Sequence, residues 1–161
     1  MFTNIYNIKT MKNSFWLFGS HHCIITDPHN TDLNLNYDQV EKRSKPGVKT
    51  PPHIHGGYTE LIYVIEGQMT VHTKEESITL NSGQHFFVPK GMPHWLEATQ
   101  KQGITRTLQT FAPAGFGLLL TQFGTAGTEN IPPVESIDME LFEKLSGEIG
   151  DITLGPAGSS L

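Results

Sequence analysis

The chain has 161 residues, about one domain's worth, and carries a formal charge of −5 from 16 acidic and 11 basic side chains. The basic residues are dispersed, which argues against nucleic acid and against a polybasic membrane patch. One cysteine, Cys23, excludes an intrachain disulfide and a four-thiolate zinc site, and a lone thiol fits a reducing compartment. Sixteen glycines and ten prolines are scattered along the chain, as expected for short strands joined by tight turns. At the start, Lys9 and Lys12 precede Phe15-Trp16-Leu17-Phe18, a run too short for a signal-peptide core. No stretch reaches the length of a membrane span. The expectation is a soluble, cytoplasmic protein that starts at Met1 or Met11. His21, His22 and His29 stand among turn residues and are expected in solvent, whereas Cys23 reads as a small buried hydrophobe.

The middle of the chain reads as strands. Residues 61–65 are apolar and rich in β-branched side chains, and Glu66-Gly67 ends them. Met69, Val71 and Thr73 alternate with Thr70, His72 and Lys74, the period of a half-buried strand, so His72 should face away from the interior. Residues 78–80 and 85–88 form two more strands, closed by Asn81-Ser82-Gly83 and by Pro89, which cannot donate to a sheet ladder. The parity of His85 is open, with a surface place favoured. Residues 105–111 are the last clear strand. Beyond it, 114–123 and 138–147 read as helices joined by a linker over 124–134. In the second helix Asp138 can cap, Gly147 can stop, and Leu141, Phe142 and Leu145 form an apolar face that must bury, with Ile152 and Leu154 anchoring the tail.

Two clusters stand out. In Pro51-Pro52-His53-Ile54-His55 the histidines are two apart, so a strand presents both imidazoles on one side. Glu60 lies an odd number of residues beyond His55, but Gly56-Gly57 can turn the chain and return the carboxylate to the same interior. In the second cluster, Pro89-Lys90-Gly91 is a tight turn that can swing His94 inward from a separate strand. Histidines on a strand are also commonly satisfied by backbone groups, and spacing decides between the readings. Gly47-x5-His53-x-His55-x4-Glu60-x6-Gly67 and Gly83-x5-Pro89-x-Gly91-x2-His94 resemble the two motifs of the cupin superfamily. The one departure is Ala98, where the family often has Asn; that position holds no ligand. The looser runs 16–19, 113–116 and 150–156 are similar to single-domain cupins named quercetin 2,3-dioxygenase-like, so the likeness covers about 15–156.

The resemblance implies an all-β fold, the cupin double-stranded β-helix or jelly-roll barrel, with one or two short C-terminal helices. One domain would span 1–161, its barrel about 15–112 and its helical extension 113–161. It implies one divalent transition ion held by His53, His55, Glu60 and His94, which suits iron, manganese, nickel, cobalt or zinc. It further implies oxygenation of a flavonol or similar enol, with Glu60 taking the hydroxyl proton, and a homodimer, for which residues 15–25 are the candidate contact. A non-oxidative decarboxylase, isomerase or cyclase, or a metal-dependent binding protein without catalysis, are the alternatives. Ile62, Tyr63, Val64, Met69, Phe86, Phe87 and Trp95 are the expected apolar lining for a small organic substrate. Arg106 can bind a carboxylate if it faces in.

Overall fold

The computed structural model describes residues 13–26, 36–130, 132–133 and 137–161. His29 and parts of the 124–134 linker lie outside them. The strands are β1 (Ser14–Leu17), β2 (Ser20–Ile24), β3 (Asp38–Ser44), β4 (His53–His55), β5 (Thr59–Glu66), β6 (Gln68–Thr73), β7 (Ser77–Asn81), β8 (His85–Val88), β9 (His94–Ala98) and β10 (Thr105–Ala112). Helix α1 (Phe116–Phe123), the short β11 (Thr125–Ala126), α2 (Met139–Glu148) and β12 (Asp151–Thr153) follow. Two antiparallel sheets face each other. The larger runs β11-β1-β2-β3-β10-β5-β8 and the smaller β12-β4-β9-β6-β7. This is the jelly-roll sandwich with two short C-terminal helices.

Strand alternation sets what each sheet buries. In β10, Thr105, Thr107, Gln109 and Phe111 point inward, while Arg106, Leu108 and Thr110 lie on the other face. In β3, Asp38, Val40, Lys42 and Ser44 point inward; between them, Glu41 on the outer face binds both Arg43 and Arg106. Between the sheets, Ile62, Val64 and Val88 of the large one meet Met69, Val71, Leu80 and Leu96 of the small one. A second apolar cluster joins Leu17, Ile24, Val40, Tyr58 and Phe111 to Leu119, Leu120 and Phe142 of the helices. Each fully buried side chain of this size contributes about 1.5–3 kcal/mol.

The helices fold where the sequence places them, with corrections at their ends. Asp138 caps α2, accepting from Leu141 N–H at 3.0 Å. The helix passes Gly147 and is turned out at Gly150, whose φ is +86°. Its buried face is Phe142 and Ser146, flanked by Leu145 and Ile149, a stripe at helical spacing, so Leu141 is left 42% exposed. Ile152 and Leu154 are also half exposed. The tail is held instead by pairing of β12 with β4. A buried carboxylate, Asp38 Oδ2, accepts from Gly115 and Gly117 N–H at 2.7 and 2.9 Å and so seats the start of α1 on the large sheet.

His21 and His22, expected in solvent, are buried: β2 lies between β1 and β3 with all five residues covered. Within residues 15–25, Phe15 and Trp16 of β1 pair with β11. Cys23 is buried, with the Ser14 hydroxyl 3.9 Å from its sulfur. Among the described residues no helix is long and apolar enough to cross a membrane.

Candidate metal centre

β4 and β9 are hydrogen-bonded neighbours, and His53 lies directly opposite His94. His55 follows two residues along β4 on the same side. Glu60 arrives from the facing sheet on β5, and the link between them is Gly56-Gly57. These glycines are needed for close approach: a Cβ on Gly57 would lie 2.3 Å from Ile149 O, and one on Gly56 2.8 Å from Gly150 O. The Gly56 N–H donates to Gly150 O at 2.8 Å. The C-terminal segment is thereby clamped against the loop between two site residues.

The four side chains converge. One ligand atom from each of His53, His55, Glu60 and His94 lies within 4.8 Å of the others. Glu60 Oε2 is 3.2 Å from His55 Nε2 and 3.3 Å from His94 Nε2. His55, Glu60 and His94 are almost wholly buried. Every Nδ1 is already engaged elsewhere: His53 with Pro51 O at 2.8 Å, His94 with Met92 O at 3.1 Å, His55 with Asp151 Oδ1 at 2.7 Å. Carbonyl and carboxylate oxygens only accept, so each Nδ1 carries a proton and Nε2 is the ring nitrogen left to the cluster. On His55 and His94 it is held as N–H against Glu60 or, once that proton is lost, is open to an ion. That donor set fits a divalent transition ion, and the fixed tautomers are those a metal-bound imidazole needs.

The electrostatics agree. Burial, helped by the neighbouring His94 and His55, holds His53 well below the usual histidine range and so neutral. Burial would also lower His55, but hydrogen bonds to Asp151 and Glu60 outweigh it and raise it to about 9. Burial would raise Glu60; its hydrogen bonds to His55 and His94 win and pull it far below the usual carboxylate range. The cluster is thus a buried carboxylate that needs cationic company, from an imidazolium or from an ion that displaces its proton. Tyr58 completes the frame: its hydroxyl donates to Asp151 Oδ2 at 2.6 Å and its ring stacks on His55 at 4.5 Å.

The cluster opens into a cavity of about 70 Å³. Its apolar walls are Leu17, Phe18, Leu96, Phe111, Phe116 and Phe142, and its polar ones include His22, Lys42, Gln109 and Asp151. The lining expected from the sequence lies elsewhere. Ile62, Val64 and Met69 do point inward, but they pack in the apolar cluster between the sheets, and Phe86 joins its edge. Phe87 is 55% exposed, with Tyr63 also turned outward. Trp95 follows the inward His94 and so faces out, stacked on His72 at 3.6 Å. Arg106, between inward Thr105 and Thr107, binds Glu41 on the outer face. His72 and His85 lie outside the interior, as parity requires. The residues that sequence reasoning missed are Asp151, Tyr58, Lys42 and Gln109. Asp151 does sit in the conspicuous run 150–156, and Lys42 and Gln109 sit at inward places of alternating strands.

The geometry has counterparts among known proteins. Residues 41–110 match the family model described as "Cupin domain". The chain is 32% identical over 112 residues to "Germin-like protein subfamily T member 2" of Arabidopsis thaliana, covering 65% of this chain and 50% of that protein. It is 34% identical over 73 residues to "Quercetin 2,3-dioxygenase" of Bacillus subtilis, covering 45% of this chain and 21% of that protein. An RmlC-like cupin from Shewanella frigidimarina superposes with a TM-score of 0.56 over 70% of this chain and 93% of that one, at 19% identity. The chain spans about half the length of the germin-like proteins it matches. A sandwich of this topology, the two spaced motifs and the matched segment agree: residues 41–110 form a cupin domain.

Proposed function

We propose that the protein is a metal-dependent enzyme acting on a small organic substrate that chelates through an enol or acid oxygen pair. Its first reading is an O₂-dependent cleavage of the kind named in the Bacillus subtilis relative. One observation carries this: three Nε2 atoms with fixed tautomers and one carboxylate converge at the wall of a cavity. A divalent ion held by His53, His55, Glu60 and His94 would supply Lewis acidity toward substrate oxygen and, if redox-active, access to O₂. The chain's own residues do the rest. Asp151 orients His55, the phenylalanine walls exclude water, and Glu60, ionised and buried, is placed to take a substrate hydroxyl proton.

The test is anaerobic mixing of iron-, manganese-, cobalt- or nickel-loaded protein with enediols and flavonols, followed by admission of oxygen. Oxygen uptake matched to substrate loss supports the reading. Glu60→Gln should then lower turnover by about 10²-fold while the metal stays; a loss no greater than the loss of metal would make Glu60 a ligand only. The cavity volume favours a second reading. About 70 Å³ is less than half of the roughly 150 Å³ that admits benzene, so a flavonol fits only if the wall moves. Turnover of a small keto or enol acid without oxygen uptake would establish the non-oxidative alternative.

A further inference from the structure

The large sheet carries a polar row on its inner face that the four-donor cluster does not use. His22, Lys42 and Thr107 are direct cross-strand partners on β2, β3 and β10, and all are buried at 4% exposure or less. His22 and Lys42 border the same cavity as His53, His55 and Glu60, as does Gln109, two residues along β10 from Thr107. Among the described residues, His22 Nδ1 and Thr107 Oγ1 have no hydrogen-bond partner. The Lys42 ammonium likewise makes no hydrogen bond or ion pair among them; Glu60 acts on it only through space.

A buried ammonium without a partner is costly, several kcal/mol for an unpaired ion. A structural role as counter-ion to Glu60 explains it poorly, because His55 and His94 already hydrogen-bond that carboxylate. A lysine beside a divalent cation would repel it. The charges that border the cavity show what is missing. Glu60 and Asp151 together balance one divalent ion, which leaves Lys42 as surplus positive charge. The complement of that surplus is one anionic group.

We propose that Lys42 is the anion-recognition residue of the cavity and that the ligand is a small organic monocarboxylate whose other end reaches the cluster. Gln109 and His22 flank the carboxylate. The proposal rests on the reading of the cluster as a metal centre. Burial lowers Lys42 to about 8, with Glu60 pulling the other way, and a carboxylate seated beside it would favour the charged ammonium. The cavity volume suits an acid of a few heavy atoms.

The experiment uses zinc-loaded full-length protein, which has no redox turnover, and calorimetric titration with pyruvate and with its neutral isostere pyruvamide. Pyruvate should bind at least about 10-fold more tightly. Lys42→Met, close in length and apolar, should bring the two ligands to equal affinity with zinc content unchanged, and Lys42→Arg should keep the preference. Equal binding of both probes by the wild type, or binding of neither at millimolar concentration, overturns the proposal without any variant. A Lys42→Met protein that still prefers pyruvate overturns it too, since the ion alone then selects the anion. A wild type that takes up no zinc sinks both this proposal and the metal reading. A retained pyruvate preference, together with no oxygen uptake by the iron-, manganese-, cobalt- or nickel-loaded protein, sinks only the oxygenase reading.

Discussion

Along β5, Glu60 faces the imidazole cluster, whereas Ile62 and Val64, on the same side of the same strand, face the apolar cluster between the sheets. β9 repeats the pattern with His94 and then Leu96. Both regions obey one alternation and differ in which rung of the barrel they occupy. The apolar rungs stabilise by removing surface from water. The polar rungs cost desolvation, which hydrogen bonds and a cation must offset. Stability and chemistry therefore sit on the same strands and can be disturbed separately.

That separation can be broken on purpose. The largest effect is expected from His53→Ala combined with His94→Ala. The wild type should carry about one transition ion per chain and the double variant none, with circular dichroism unchanged because the apolar cluster is intact. Elemental analysis of both proteins checks it, and an unfolded double variant would show that the two regions are not independent. Next is Ile62→Ala, fully buried between the sheets. It should cost about 2–5 kcal/mol in denaturant unfolding and leave metal stoichiometry as it was. Asp151→Asn is smaller and sharpens the comparison, because it touches the support of His55, and the Tyr58 hydroxyl that shares the carboxylate, without removing a donor of the cluster. Metal affinity should fall by roughly 10–100-fold, read by competition with a chelator. An unchanged affinity would make the Asp151–His55 contact incidental.

The sequence made one of these regions far easier to read than the other. The central strands were legible because apolar residues alternate in 69–73 and because Gly67, Gly83 and Pro89 mark their ends. The four converging residues were legible because their spacing matches the two family motifs, and the turn at Gly56-Gly57 supplied the correct route for Glu60. β3 escaped notice because three of its four inward residues, Asp38, Lys42 and Ser44, are polar, so its alternation does not show as hydrophobicity. The lining was misplaced for a related reason. Phe87 and Trp95 are large and near the motifs, but parity turns them outward, and the true walls come from Leu17, Phe18, Phe116 and Phe142, far off in the chain. Which distant segment closes a cavity depends on tertiary packing of α1 and α2, and no local pattern encodes that.

The clamp of Ile149 and Gly150 on Gly56-Gly57 bears on the order in which the molecule is made. A chain leaving the ribosome has exposed all four donors once β9 is out. The carboxylate that pins the His55 tautomer, and the backbone that presses the glycine loop into place, arrive only with β12. A nascent chain can thus hold every donor without the frame that aims them, and any ion that needs the framed site must wait for the C-terminal segment.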